Sequence, residues 1–550
     1  MRISGWSGLF LAVVLLAFGS TVSAEGSPAD SNSGERSVAG FDGDGYSDLV
    51  VGVHWESVAG QAYAGAVNVI CGSGDGLTAA GNQYWDQDSA GVLGDPVQFD
   101  YFGRSLTIGD FNGDRFADVA IGISNESVGA ERIGAVQVLY GAAGGLSATG
   151  NQLWSQQSPN VLDPGEDGDS FGCAVTTGDF NGDGFDDLAV GVCGEDFGSS
   201  TNAGAVNILF GSAAGISSLG NTILHQDLTG TADTAELGDV FGSAVVAGDF
   251  NGDGFADLAV GVPGEDVGTG SSAGAVHVFS GGAAGFDPED DWFVHQDVSG
   301  MADSAEWLDS FGGSLAVGDF DGDGFADLAI GVGDEGITSG HEGAVHVVYG
   351  SVAGLTTAGN QFWHQDVPGM ADTAESNDYF GRGLAAGDFD GDGFADLAVG
   401  VHNEDVETTQ GAGAVHILYG DVGGLGVARN WFFHQDTVGM LDESEEFDHF
   451  GTALAVGGFN GDRYADLAIG VPWQAYGGEP RCGAVSVVLG SATGLAVDGN
   501  QVWHQSSPGI LDACASDELF GAALAALPPT GLFLDDFETG DSTRWSAVIP

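Results

Sequence analysis

The segment "DFNGDGFAD" sets acidic or amide side chains at every second position of a short loop, and near copies of it recur along the chain. In the copy that begins at Asp249, loop positions 1, 3, 5 and 9 are held by Asp249, Asn251, Asp253 and Asp257. The backbone carbonyl of Phe255, at position 7, adds a further oxygen donor. Alternate residues of a tightly wound loop can direct their oxygens at one centre, and Ca²⁺ takes about six to eight oxygen ligands. The spacing therefore predicts a calcium-binding loop.

Five loops carry this full set of donors. In chain order the predicted ligands, with the carbonyl donor fourth in each set, are Asp110, Asn112, Asp114, Phe116 and Asp118; Asp179, Asn181, Asp183, Phe185 and Asp187; Asp249, Asn251, Asp253, Phe255 and Asp257; Asp319, Asp321, Asp323, Phe325 and Asp327; and Asp388, Asp390, Asp392, Phe394 and Asp396. A glycine at position 6, such as Gly254, allows the positive φ that turns the chain around an ion. The alternative is a metal-free hairpin turn, because Asp, Asn and Gly all favour tight Asx-turns.

Two further loops lack the first carboxylate of the set. Gly40 and Gly458 stand where the other loops have Asp. The donors that remain are Asp42, Asp44 and Asp48 in one loop and Asn460, Asp462 and Asp466 in the other. We expect these two loops to bind calcium weakly or not at all.

Arginine replaces the position-6 glycine in two loops, at Arg115 and Arg463. This replacement predicts left-handed backbone strain of about 1 kcal/mol and places a like charge beside the ion. The best candidates for calcium are therefore the loops that begin at Asp179, Asp249, Asp319 and Asp388.

The loops recur with a steady period. Aligned on loop position 3, the copies lie 69 or 70 residues apart over nearly the whole chain, which indicates one structural unit used seven times. In the unit from Phe241 to Asp297, four short segments are apolar or alternate as strands do: "FGSAVVAGDF", "DLAVGV", "GAVHVFSG" and "DWFVHQD". Four strands in each of seven units predict an all-β, seven-bladed β-propeller. A series of sandwiches is the alternative, but such a unit is small to bury its own core.

The two ends of the repeat are offset by one strand. The pair Phe-Gly opens each unit, at Phe102, Phe171, Phe241, Phe311, Phe380, Phe450 and Phe520. No such pair precedes the first loop, where Asn32 and Ser33 stand, whereas "FGAALAAL" at the C-terminal end runs into Pro528 with no loop after it. The offset predicts that this last strand joins the first blade and closes the ring.

The "FG" start, together with the "VGVP" or "IGVG" that follows the loop, resembles the FG-GAP repeat. This repeat is the blade of the integrin α-subunit propeller and of many secreted bacterial proteins. The resemblance covers Gly40 to Leu527 and implies calcium at the loop positions given above, residue by residue. It also implies a binding or adhesion module for an extracellular protein or glycan, with recognition loops on the face away from the calcium loops.

An enzyme is the alternative function, because similar propellers occur in secreted lyases and phospholipases. Its site would lie in the channel or on the loop face. Histidines recur with the blade, before Gln as in His295 and in the third segment as in His277, which indicates packing or hydrogen bonding rather than catalysis. The segment "GSSAG", from Gly270 to Gly274, matches the GxSxG nucleophile pattern but lies in a polar loop before a strand. With no single catalytic cluster, the sequence predicts binding and no enzyme activity.

The composition limits the partners. Acidic residues number 80 and basic residues 10, a formal net charge of −70, and every basic residue is Arg. A chain without lysine carries no Schiff-base lysine and no P-loop lysine. A field this negative repels a phosphate backbone, which argues against nucleic acid as a partner. We expect a monomer.

The first residues contain Arg2, an apolar core from Leu9 to Phe18 and a small-residue ending at Ala24. This pattern predicts a signal peptide and an exported protein, extracellular or periplasmic, without a transmembrane segment. A membrane anchor is the alternative, although the apolar core is shorter than the ~20 residues of a spanning helix.

The predicted organisation has four parts. They are a signal peptide over residues 1–24, a short linker over 25–39, the propeller over 40–527 and a tail over 528–550. The tail breaks the period and is either a sorting segment or a disordered end.

Five cysteines remain to be paired. Cys173 and Cys193 flank one loop at equal distances, where two hairpin strands would lie opposite each other, so a disulfide is expected there. Cys482 with Cys514 is a second candidate pair, which leaves Cys71 over. Free buried thiols are the alternative.

Overall fold

A computed structural model describes residues 40–338 and 340–529. Over these residues the chain forms seven four-stranded antiparallel sheets whose innermost strands follow one another around a central channel. The prediction of a seven-bladed β-propeller is confirmed. The predicted signal peptide and linker, and all but the first two residues of the predicted tail, lie outside the described residues. Within the described part of the chain, no helix has the length and apolar character needed to cross a membrane.

We number the blades 1–7 and label the strands A–D from the channel outwards. The A strands are, from blade 1 to blade 7, Ala523–Ala526, Phe102–Gly109, Phe171–Gly178, Ala244–Gly248, Ser314–Gly318, Gly383–Gly387 and Leu454–Gly457. The B strands are, in the same order, Leu49–Val53, Asp118–Ile123, Asp187–Val192, Asp257–Val262, Asp327–Val332, Asp396–Val401 and Asp466–Val471.

The outer half of each blade completes the sheet. The C strands are Ala66–Cys71, Ala135–Tyr140, Ala205–Phe210, Ala275–Phe279, Ala344–Tyr349, Ala414–Tyr419 and Ala484–Leu489. The D strands are Thr78–Trp85, Ser147–Trp154, Ser217–Leu224, Asp291–Val294, Thr356–Trp363, Gly426–Phe433 and Ala496–Trp503. Two minor elements lie outside the sheets, a hairpin of Ser127–Val128 with Glu131–Arg132 and a 3₁₀ helix at Pro288–Asp290.

The hydrophobic core lies between blades rather than within one sheet. Every residue of the B strands is buried, since these strands are covered on both faces by neighbouring blades. The cluster between blades 4 and 5, for example, joins Val276 and Val278 of one sheet to Ile330 and Val348 of the next. Unbroken runs of β-branched and small residues such as "DLAVGV" suit a strand that is buried on both faces.

The ring closes as the offset repeat predicts. The strand Ala523–Ala526 pairs antiparallel with Leu49–Val53, with Leu49 opposite Ala526 and Gly52 opposite Ala523. The C-terminal strand is therefore the A strand of blade 1 and gives that blade four strands, as in the other six.

The Phe-Gly pair and the Gly before each C strand meet across every blade junction. Gly274 bridges Phe311 of the next blade, and a Cβ on Gly274 would lie 2.3 Å from the Phe311 carbonyl oxygen. Phe311 itself is fully buried. Only glycine allows this approach, which explains why both glycine-containing motifs recur in each unit.

Both expected cysteine pairs are disulfides. Cys173–Cys193 links the first residues of strand A to the end of strand B in blade 3, and Cys482–Cys514 joins blade 7 to the segment that leads into the closing strand. Cys71 is the free cysteine among the described residues.

Candidate calcium loops and a patch at the channel mouth

The antiparallel order of each blade separates its connections. The A–B and C–D loops lie on one face, which we call the calcium-loop face, and the B–C loops and the D–A connections lie on the opposite face. All predicted calcium ligands lie in the A–B loops or, at position 9, at the first residue of a B strand.

Each complete loop winds around its own first carboxylate. Asp249 accepts hydrogen bonds from the backbone amides of Gly252 at 2.6 Å, Asp253 at 3.1 Å and Gly254 at 2.9 Å. Gly254 has a φ of +87°, the left-handed turn that the sequence predicts at position 6. The carboxylate of position 1 therefore lies inside the turn.

The position-9 aspartate fastens the loop to its blade. Asp257 is buried and accepts the amides of Phe250 and Gly281, each at 2.9 Å. Burial raises the pKa of Asp257 to about 8. The corresponding aspartate accepts the same kind of amide pair in all seven loops, at Asp48, Asp118, Asp187, Asp257, Asp327, Asp396 and Asp466.

The donor sets fit a hard divalent cation. Carboxylate oxygens of Asp319, Asp321 and Asp327 lie within 4.8 Å of one another, and the corresponding oxygens of the loop at Asp388 do the same. Burial raises the pKa of Asp327 to about 8. A bound cation would offset the cost of burying these carboxylates. A site made only of oxygen donors matches the ligand preference of Ca²⁺. Asn251 takes the position of Asp321 in the loop at Asp249 and supplies an amide oxygen instead.

The two incomplete loops differ at their first residue. Gly40 has a φ of +50°, and a Cβ there would lie 2.5 Å from the carbonyl oxygen of Tyr46. An aspartate therefore does not fit at this position. A Cβ on Gly458 would meet Pro529 at 3.1 Å.

The expected left-handed strain is present in one arginine and absent in the other. Arg115 has a φ of +75°, and its amide donates to Asp110 at 2.9 Å. Arg463 is not in the left-handed region, so the expectation of strain there was wrong. In this loop Gly458 has no side-chain carboxylate that could accept the Arg463 amide.

A hydrogen bond joins each loop to the next around the ring. The amide of Ala326, at position 8 of its loop, donates to the carbonyl oxygen of Asp249 at 3.1 Å. The same bond closes the ring from Ser47 to Gly458 at 3.2 Å. The seven loops therefore form one connected structure.

The opposite face carries an aromatic cluster, which we call the channel-mouth patch and define as Tyr379, Arg382, His402, His449 and Trp473. Ring centroids are 5.3 Å apart between Tyr379 and His402, 5.5 Å between His402 and His449, and 4.8 Å between His449 and Trp473. The Arg382 guanidinium lies 4.0 Å from the Tyr379 centroid. The patch is thus one continuous chain of rings across blades 6 and 7.

The charges of the patch are balanced. Arg382 pairs with Asp334 at 3.0 Å, and Arg481, beside Trp473, pairs with Asp517. Burial, with the charge of Arg382, lowers the pKa of His402 to about 3. Both patch histidines are therefore neutral near pH 7, since burial also lowers the pKa of His449.

The patch departs from the repeat, and the sequence analysis missed it. Tyr379 and His449 precede the Phe-Gly pair, where blades 3, 4 and 5 have Ser170, Val240 and Ser310. A second aromatic group stands at the same level of blades 1 and 2 and comprises His54, Trp55, Tyr63, Phe99 and Tyr101. The sequence signal is an aromatic residue directly before "FG" or just after the B strand. It becomes visible only when the units are aligned.

The central channel encloses a cavity of about 290 Å³. Its wall consists of small and aliphatic residues of the A strands, such as Ala174, Ser314 and Leu454. Arg382, at the mouth, is the charged side chain among the described residues that line it.

The recurring histidines lie in packing positions. His346 and His416 are buried against Phe362 and Phe432, and His277 contacts Asp291 at 2.8 Å. Each histidine that directly follows a D strand precedes a glutamine that bonds across the blade junction, for example Gln296 to Glu335 at 2.6 Å. Ser272 of the GxSxG match lies in a B–C loop, where its amide bonds Asp266.

This chain belongs to the FG-GAP repeat family. The repeat matches seven segments, at residues 37–70, 102–139, 171–209, 241–279, 311–348, 380–418 and 450–488. Each segment beyond the first opens on the Phe-Gly pair, and all seven cover the A–B loop, the B strand and the C strand.

Individual relatives match over part of their length. The chain is 37% identical to integrin alpha-PS5 of Drosophila melanogaster over 168 residues, 30% of this chain and 15% of that protein. It is 29% identical to integrin alpha-PS2 of the same organism over 262 residues, 46% of this chain and 16% of the other. It is 34% identical to phosphatidylinositol-glycan-specific phospholipase D of Bos taurus over 185 residues, 33% of this chain and 21% of that one. The chain therefore spans about a fifth or less of the length of these relatives.

Among solved structures, the rhamnogalacturonan lyase YesW aligns with a TM-score of 0.34 and 12% identity, over 66% of this chain and 58% of the other. This likeness is too low to support a shared site.

Proposed function

We propose that this protein is an exported, calcium-stabilised propeller that binds an extracellular protein or glycan through the channel-mouth patch. The observation that supports this most is the departure of the patch from the repeat. Seven units of one design should carry similar residues at corresponding positions, so joined rings at positions where blades 3, 4 and 5 carry Ser170, Val240 and Ser310 indicate selection for recognition. Integrin α relatives share the repeat, which supports a binding role.

Calcium has a structural role in this proposal. Asp249, Asn251, Asp253 and Asp257, with their counterparts, would hold the ion, which supplies the positive charge that the buried carboxylates lack. The loops lie at the opposite face from the patch, and each is joined to its neighbour by a backbone hydrogen bond. An ordered ring of loops would keep the blades, and so the patch, in register.

The patch suits binding better than proton transfer. His402 and His449 are poor bases near pH 7 because their pKa values are lowered. The Nδ1 atom of His449 already bonds the carbonyl oxygen of His402 at 2.9 Å. Trp473 is 40% exposed and offers a ring face of the kind that anchors both protein and sugar ligands.

An array of purified extracellular proteins and glycans, probed with the mature chain, tests the binding proposal. Trp473→Ala combined with Tyr379→Ala should reduce retention on the bound ligand by about tenfold or more, as is usual for a central aromatic anchor. Trp307→Ala is the matched control, because Trp307 is 71% exposed on the same face but lies outside the patch. Unchanged binding by the double variant would overturn the assignment of the patch. N-terminal sequencing of the protein recovered from the medium, with Glu25 expected first, tests export.

A further inference from the structure

The loop at Asp388 differs from the other complete loops by a neighbouring guanidinium. Arg429, in the D strand of blade 6, makes a close ion pair with Asp390, and its Nη2 lies 3.5 Å from Asp392. Asp390 and Asp392 are positions 3 and 5 of the predicted calcium loop. The side chain of Asp390 is 2% exposed, so this pair is shielded from solvent on the carboxylate side.

The guanidinium of Arg429 is held in place from two sides. Its guanidinium lies 4.5 Å from the ring centroid of Tyr419, which is itself buried. The ring therefore supports one side of the cation while the loop carboxylates hold the other. Corresponding D-strand positions in five other blades are glycines with positive φ: Gly81, Gly150, Gly220, Gly359 and Gly499.

The loop at Asp319 provides an internal comparison. It carries the same four aspartates as the loop at Asp388, at positions 1, 3, 5 and 9. Beside it, the residue that corresponds to Arg429 is Gly359. Arg463 of the following loop also approaches the loop at Asp388, since its Nε would lie 3.4 Å from a Cβ on Gly391. The two loops thus differ in the positive charge around them and not in their ligands.

We propose that Arg429 is a tethered counter-ion that competes with calcium for Asp390, so that the loop at Asp388 binds calcium more weakly than the loop at Asp319. The inference rests on the calcium binding proposed above. A Ca²⁺ ion and a guanidinium cannot share one carboxylate oxygen without strong like-charge repulsion. Calcium must therefore displace Arg429, and the loop keeps a partial charge balance when calcium is scarce.

Loop-resolved hydrogen exchange on the full mature chain, titrated with calcium, tests the proposal. Peptides that cover residues 319–327 and 388–396 report each loop separately, because a bound ion protects the loop amides. In the wild type the calcium midpoint of the second peptide should be the higher. Arg429→Met keeps an apolar stem over Tyr419 without the charge and should lower that midpoint about fivefold. This change in affinity corresponds to the upper end of the free energies found for ion pairs at a protein surface.

Two controls separate this effect from general electrostatics. Arg481→Met removes one positive charge on the opposite face and should leave both midpoints unchanged. Arg429→Lys retains the charge and should stay near the wild-type midpoint. An unchanged midpoint for residues 388–396 in Arg429→Met would overturn the role of Arg429 and leave the calcium proposal standing, provided that residues 319–327 still respond. No calcium response in any loop peptide would overturn both.

Discussion

The ring of Phe325 lies against Gly252 of the preceding blade so closely that a Cβ on Gly252 would come within 2.6 Å of Phe325 Cε1. Position 4 of one loop thus receives the position-7 aromatic ring of the next. The same contact occurs at the other six junctions: Gly43 with Phe116, Gly113 with Phe185, Gly182 with Phe255, Gly322 with Phe394, Gly391 with Tyr464 and Gly461 with Tyr46. The aromatic residue therefore has a packing role beside the carbonyl donor that the sequence assigns to it.

Gly252→Ala should lower the free energy of unfolding by about 2 kcal/mol, because the methyl group meets Phe325 and because an L residue resists the φ of +71°. Gly354 is the matched control, since its φ is +82° and nothing lies within 4 Å of a Cβ there. Gly354→Ala should cost only about 1 kcal/mol, from backbone strain alone. Urea unfolding at fixed calcium measures both, and equal losses would show that the contact with Phe325 contributes nothing.

The sequence was sufficient for the fold because each unit repeats the same physical constraints. The Phe-Gly pair, the winding loop and the doubly buried "DLAVGV" strand recur at a constant period, and the missing first Phe-Gly pair predicts the closing strand. The position-4 glycine escaped notice because its partner, as for Gly252 and Phe325, lies one whole unit away.

The candidate sites were predictable only where they follow the repeat. The calcium loops follow it, whereas the patch and Arg429 are exceptions to it. The bond from Gln296 to Glu335 had a usable signal, since the same separation of 39 residues recurs from Gln87 to Glu126 and onward.

The buried carboxyl of Glu335 should make stability depend on pH. Burial, and then the charges of Asp309 and Asp303, raise its pKa from 4.5 to about 8. The folded protein then holds a proton that the unfolded chain releases, so the stabilisation is fully present below pH 4.5 and is lost as the pH rises through about 8. Between pH 6 and pH 9 the titration of this residue should lower the free energy of unfolding by about 3 kcal/mol.

Glu335→Gln tests this directly, because an amide cannot titrate. Blade 7 already carries Gln474 at the corresponding position, where the amide, oriented as its neighbours require, donates to Asp448 at 2.7 Å. Urea midpoints at pH 6 and pH 9, at fixed calcium and salt, should differ less in the variant than in the wild type. The same pH dependence in both proteins would show that the proton does not reside on Glu335.

The disulfide Cys173–Cys193 should contribute to stability by limiting the unfolded chain. With a sequence separation of 20 residues, its removal by the double change Cys173→Ala and Cys193→Ala should cost about 3 kcal/mol. Peptide mapping without reductant should first find this crosslink and Cys482–Cys514, with Cys71 open to alkylation after unfolding. An unfolding midpoint equal to that of the wild type would contradict the expected contribution.

Thermal melting of the mature chain with calcium, with magnesium and with chelator, at fixed high salt, tests the central claim most directly. An ion that binds only the folded state raises the midpoint progressively with its concentration. We expect a rise with calcium that magnesium does not reproduce, and a smaller rise in Asp319→Asn, which removes a position-1 carboxylate. Identical midpoints with calcium and with chelator would contradict the account and would leave the seven acidic loops as metal-free turns.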